Sequence, residues 1–557
     1  MTFVETDRNT RGLANVTISI KPRSSTMESA LAVPEILDEI LQLATPSTQA
    51  AAAQTCQYWS DCSLRWLWRR MQSFYPLLEL LSPLICTDNT WSFTSDLLAS
   101  DWHRFSQYAA RIHSMKFSPS RSYRNQDDSV PSPQILDEFN RHCPTPDSMF
   151  PKLTELIWRT DTTLQLLPIL MFLVPTIKSL VLTCGKAIDK ECLGVLGVLG
   201  PRKIHLTDLQ LTMRAHDQAF LDRLPAILAD QTTLSFVALP PCSATRAIVT
   251  VLGQLPYLRA YILSVYPEYQ TPRELGMEFD WHDEIFPSLD RLTLHTSLAS
   301  APDLVAKSHR SRLRRLTLVN QKSFRHAELQ SFCSSLSISQ PSLTVINLAL
   351  YSDAITTVSA QSLPFDLFRS LLQCPALVEL LVESPSTISY GDEDIATMAS
   401  SWPDLEILSL CSSPAIGVGL DFGQPLRSVG TFAQSFSRLA QLSIYVNSLD
   451  TGEMPDIQSD IHRHRLAVIN FGTSPGPEGS VQVASLYLAG ITAIGGKIKG
   501  RRTPNHVRFL DSSWEDIEER RRRATFWSVI SENVKMMHAS ADRLKENIVN
   551  RSILTSM

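Results

Sequence analysis

Leucines recur along most of this chain in the phrase L-x-x-L-x-L. FPKLTEL begins at Phe150, FPSLDRLTL at Phe286, CPALVELLV at Cys374 and WPDLEILSL at Trp402. The first apolar positions form a ladder: Ile112, Leu153, Ile177, Leu206, Leu234, Leu258, Leu289, Leu313, Leu343, Leu377, Leu405, Leu439, Leu466 and Val483. From Leu153 to Leu466 the steps run from 24 to 34 residues, the period range of stacked-repeat solenoids. Apolar and spacer positions alternate within each phrase, so each reads as a short strand with one face in a core. One such strand cannot bury its apolar side alone, and neighbouring repeats must stack.

The segments between phrases suit helices or turns. Asp366 to Gln373 has helical apolar spacing and stops before Cys374-Pro375; Asp217 to Leu228 is similar, with Pro225 expected to interrupt it. Strand then helix, repeated, predicts a right-handed parallel solenoid. Seven phrases carry Pro two residues before the first Leu: Pro151, Pro175, Pro256, Pro287, Pro341, Pro375 and Pro403. The polar stretch 119–134 breaks the ladder as an inserted loop, expected to be mobile. The last step, 17 residues, is too short for a helix and makes a strand at Val483 doubtful. Beyond it, Trp527, Ile530, Val534, Met537, Ala541, Leu544 and Ile548 form a helical seam. It is expected to pack on the array rather than dimerise, and Ser512 with Glu515 offers a capping box.

Ahead of the repeats, residues 31–70 read as three short helices. Pro34 suits a first turn, and Ile36, Leu37, Ile40, Leu41 and Leu43 follow on a broad apolar face. Thr45-Pro46-Ser47 breaks that helix, with Ser47 or Thr48 able to cap the next. Ala53 and Cys56 line the second helix, and Leu64, Leu67 and Trp68 the third. Forty residues bury little core, leaving apolar surface for a partner. A second helical stretch, 76–111, offers a cap for the array, with Leu77 to Leu84, Trp102, Phe105 and Tyr108 facing it.

The repeats over Ile112 to Leu488 resemble leucine-rich repeats. The family's Asn or Cys three residues after the third Leu is met only at Cys242 and Asn447; Asp161, Ser297 and Ser413 stand elsewhere, as in irregular intracellular repeats. The N-terminal block resembles the F-box motif through Val33, Pro34, Ile36, Leu37, Ile40, Cys56, Trp59, Leu67 and Trp68, with Val33 where the family usually has Leu. The passage Asp101 to Phe117 is similar to fungal F-box proteins. The resemblance implies an α/β chain: a disordered tail (1–29), an F-box (30–75), a helical linker or cap (76–111), a leucine-rich-repeat solenoid with its strands on the concave face (112–490), a basic loop (491–511) and a C-terminal helix (512–550). It further implies that the nine matching residues dock a Skp-type adaptor of a cullin–RING ubiquitin ligase. The solenoid would hold an unknown protein substrate, the chain being monomeric within the complex. The competing expectation is a leucine-rich scaffold whose N-terminal helices only cap the array.

Charge fits that picture. The formal net charge is −5, which argues against a dedicated nucleic-acid binder. Residues 497–551 carry 13 Lys and Arg against 8 Asp and Glu. The runs Lys497, Lys499, Arg501, Arg502 and Arg520 to Arg523 read as a solvated loop and a paired helix face. The spacer residues Arg259, Arg291, Arg314 and Arg315 fall on three successive strands as a candidate substrate-binding patch for an acidic or phosphorylated peptide. Glu379 and Glu406 follow two strands later. Ten cysteines without tight spacing are no disulfide framework, and Cys56 and Cys62 read as small apolar fillers. The polar, acidic N-terminus is unlike a secretory signal. The longest apolar run, Leu164 to Val174, is interrupted by Pro168 and is too short to span a bilayer. The expected place is the cytoplasm or nucleus, away from membranes, and the sequons at Asn15 and Asn550 read as chance. No G-x-S-x-G, P-loop, H-E-x-x-H or C-x-x-C occurs, and His462 and His464 read as surface residues. Neither an enzyme nor a cofactor or metal site is expected.

Overall fold

The computed structural model describes residues 33–87, 90–118, 130–132, 135, 137–138, 141, 149–160, 166–184, 189–213, 218–240, 243, 245–263, 286–302, 305, 313–320, 323–350, 362–414, 423–448, 466–475, 481–499 and 514–556. Four expectations lie outside them: the tail 1–29, most of the loop 119–134, the Asp161, Cys242, His462 and His464 positions, and the Ser512 cap with Arg501 and Arg502.

One parallel sheet of fifteen strands runs through the chain, each strand hydrogen-bonded to the next. The strands are β1 (Arg70–Met71), β2 (Ser114–Phe117), β3 (Glu155–Thr160), β4 (Ser179–Cys184), β5 (Asp208–Thr212), β6 (Phe236–Leu239), β7 (Ala260–Leu263), β8 (Arg291–His295), β9 (Arg315–Asn320), β10 (Val345–Leu350), β11 (Glu379–Glu383), β12 (Ile407–Leu410), β13 (Gln441–Ile444), β14 (Leu466–Asn470) and β15 (Thr492–Lys499). From Ile112 to Leu439 each ladder position stands two residues before its strand, and the ladder is the register: Glu155 pairs with Ser179, Arg291 with Arg315, Glu379 with Ile407. The result is a solenoid-like α/β array. Helices such as Gln218–Ala229, Arg246–Gly253 and His326–Ser339 fill the connections. Leu209 and Leu211 of β5 share one core with Phe220, Leu224 and Leu228 of the following helix.

The recurrent Pro has a local cause. Leu153 donates its N–H to the Phe150 carbonyl, Leu289 to that of Phe286, Leu377 to that of Cys374 and Leu405 to that of Trp402. These are four-residue turns with Pro in the second place, where its fixed φ is preorganised. Each turn delivers the chain into the next rung. There one carbonyl accepts two N–H groups of the following repeat: Thr154 O takes Lys178 and Ser179, and Asp290 O takes Arg314 and Arg315.

Several expectations are corrected. Pro225 does not interrupt its segment; Gln218–Ala229 is one helix containing it. Phe220, Leu224 and Leu228, all wholly buried four residues apart, outweigh the missing N–H. The 76–111 stretch is not all helix. An antiparallel pair, Leu84–Thr87 with Thr90–Phe93, separates the helices Tyr75–Leu78 and Ala99–Ala109. Pro83 precedes the first strand of the pair, and the β-branched Ile85, Thr87 and Thr90 favour extended chain. The doubt about a strand at Val483 is borne out: Val483 lies in a helix, Val481–Ile491, which buries Ala484, Tyr487, Leu488 and Ile491 at helical spacing. The sheet also outruns the expected limits of 112–490. β1 pairs with β2 at one end, and at the other the basic run enters β15. Lys497 and Lys499 face out there around a buried Ile498.

The final helix, Trp514–Ser556, packs on the array. Trp527 stacks on Phe471 at 4.0 Å and donates to the Ser474 carbonyl, and Ile530 and Val534 join the main core. Ala541, further along the seam, is exposed. Arg523 is not solvated: buried, it donates to the Thr473 carbonyl at 2.8 Å. Gly472 meets this junction at φ +53°, with no room for a Cβ beside the Ser412 carbonyl.

Candidate functional site

The N-terminal block is built from α1 (Pro34–Leu43), α2 (Pro46–Ala52) and α3 (Gln57–Leu67). Pro34 opens α1, and Thr45, not Ser47 or Thr48, caps α2 by accepting the Thr48 N–H. Buried Gln49 donates to the carbonyls of Leu41 and Ala44, closing the end of α1. Asp38 accepts the Trp66 indole N–H at 2.8 Å, tying α1 to α3. Leu37, Leu41, Ala52 and Cys62 form a small core, with Trp59 and Trp66 against it, distinct from the core of the array.

α1 therefore has two apolar faces. One is that core. The other carries Val33, Ile36, Ile40 and Leu43, exposed at 38%, 42%, 46% and 85%, with steps of three, four and three that align them along one side. Tyr58, at the start of α3, is exposed as well.

Of the nine residues expected to dock an adaptor, Val33, Pro34, Ile36 and Ile40 are exposed together on α1, Cys56 is exposed at the start of α3, and Trp59 and Leu67 are half-buried. Two are corrected. Leu37 is wholly buried in the block's core and supports the surface from beneath. Trp68 packs against the core of the array, 4.7 Å from the Tyr108 ring, and serves the joint between block and array. Cys56 is likewise no apolar filler, though Cys62 is. Leu43, which is not among the nine, is exposed on the same side of α1, seven residues after Ile36.

The block does not seal the array. Phe74 does so, stacking on Trp158 and approaching Phe117 at 5.2 Å, together with Leu77, Leu78 and Phe105.

The four candidate arginines all lie exposed at the start of strands. Arg291 and Arg315 are register partners on β8 and β9. Arg259 and Arg314 share the neighbouring row, but Asp290 stands between them: its N–H donates to the Arg259 carbonyl and its carbonyl accepts from Arg314. The four thus form a patch with one acid inserted. On the same strand face as Arg291 and Thr293 lies His295, with Leu292 and Leu294 turned into the core. Burial pushes the His295 pKa down to about 4, only partly offset by the nearby Leu263 carbonyl. The Asn-or-Cys position is filled in other ways: buried Asn320, one residue earlier in its repeat, accepts the Leu298 N–H, and the Ser474 hydroxyl accepts that of Val446.

Among the described residues no three His, Cys, Asp or Glu side chains converge as a metal site, and no helix is long and apolar enough to cross a membrane. Comparison with protein-family models gives no match, and comparison with curated proteins gives none either.

Proposed function

We propose that this chain is the substrate-recognition subunit of an SCF-type cullin–RING ubiquitin ligase, an F-box protein with irregular leucine-rich repeats. The block of α1 to α3 holds a Skp-type adaptor, and the solenoid holds a protein substrate. In this reading the chain makes and breaks no bond. It positions substrate lysines near a ubiquitin-charged enzyme, raising their effective concentration.

The observation that carries the reading is the exposed stripe Val33, Ile36, Ile40 and Leu43 on a block with a core of its own. A block that only capped the array would bury its apolar face in the array's core. Here residues from Phe74 to Phe105 perform that sealing, which disfavours the plain-scaffold reading.

The test is a pull-down with a purified Skp-type adaptor, comparing wild type with Ile36→Asp/Ile40→Asp. Each apolar side chain buried in an interface is worth about 1.5–3 kcal/mol, so binding should fall by at least about tenfold. Failure of the wild-type chain to bind sinks the proposal. Deleting residues 1–66, which leaves Trp68, β1 and Phe74 in place, should abolish adaptor binding while the array's melting transition survives. Unfolding of the array would favour the cap.

A further inference from the structure

We propose that the sheet face opposite the core binds a dipolar extended segment of a partner protein, with phosphate or carboxylate groups over β7 to β9 and a basic side chain about three residues away over β11 and β12. This deepens the receptor reading by naming a substrate class, and it rests on that reading.

The charge layout is set by the register. Arg291 and Arg315 stand directly beside each other, and Arg259 and Arg314 flank them in the adjoining row. Like charges opposite one another on a sheet cost stability, so folding alone does not call for this arrangement. No ion pair within the described residues neutralises any of the four, nor Glu379 or Glu406. Continuing along the same row, Arg315 pairs with Val345 and Val345 with Glu379. Glu406 follows in the adjoining row, its N–H on the Val378 carbonyl. Two strand spacings separate Arg315 from Glu379, about 10 Å. An extended chain covers that distance in about three residues.

The strand face between the two charged ends is polar. Thr293, Thr317 and Asn347 continue as register partners between the two ends, half-buried and polar. They offer hydrogen bonds to the backbone of a segment lying across the strands.

The experiment is fluorescence anisotropy of the full chain with a labelled peptide Gly-Glu-pSer-Ala-Ala-Lys-Lys-Gly, its unphosphorylated form, and a form with Glu-Glu replacing Lys-Lys. Wild type should bind the phosphorylated dipolar peptide at least tenfold more tightly than either control. Arg291→Glu/Arg315→Glu should lose that binding by tenfold or more while keeping the wild-type melting temperature and adaptor pull-down. Glu379→Lys/Glu406→Lys should weaken the dipolar peptide and strengthen the all-acidic one, a gain that misfolding cannot produce. No measurable binding by wild type, equal binding by both charge-reversed variants, or tighter binding of a labelled single-stranded RNA 12-mer overturns the proposal. Because the adaptor pull-down is read separately, loss of the peptide site leaves the receptor reading standing, and the reverse.

Discussion

His295 shows how much a single position can bear on the whole. Its ring is neutral in the fold because burial disfavours the imidazolium and holds the pKa near 4. In the unfolded chain it protonates below about 6.5. Its contribution to stability is therefore complete above that value and is lost as pH falls toward 4. Between pH 7.5 and 5 the loss amounts to about 2 kcal/mol. His295→Leu should flatten the pH dependence by that amount, read from urea midpoints of both proteins at the two pH values. Parallel slopes would mean that water reaches the ring. At this scale the sequence was only half legible. Ile36, Leu37, Ile40, Leu41 and Leu43 are visibly one apolar set, but composition cannot say which two turn inward. That follows from where α2 and α3 lie, and only Leu37 and Leu41 meet them.

Elements were more legible where a pattern had one physical outcome. The Pro-led turn and the strand after it are local events, settled by a fixed φ and an alternation of period two. Elements whose stability comes from packing were misjudged: the helix through Pro225 and the hairpin at Leu84–Phe93. The separate core of α1 to α3 leads to an expectation about the block as a unit. Leu37→Ala removes about 2–5 kcal/mol from a module too small to absorb it. Hydrogen exchange should show loss of protection across 34–67 and unchanged protection in β3 to β12. Loss spreading into those strands would mean that block and array fold as one body.

At the scale of the molecule, a stacked array is open at both ends, and each end needs a cover. Phe74, Leu77 and Phe105 close one; Trp527, Ile530 and Val534 close the other. Removing residues 514–556 should uncover Phe471 and the Thr473 and Ser474 carbonyls. The expected result is a lower melting temperature and concentration-dependent association, seen by light scattering after size exclusion. A monomer of unchanged melting temperature would make the helix an appendage. The sequence alone determined the rungs of the array from Leu153 to Leu439 and the row on which each spacer falls, because period-two strands that each begin two residues after a ladder position pair in that register. Tertiary structure decided what no local pattern encodes. It set the block's core apart from that of the array, buried Leu37 and Arg523, and left Ile36 and Ile40 in solvent. Those outcomes depend on which surfaces meet, and surfaces meet only once the chain has folded.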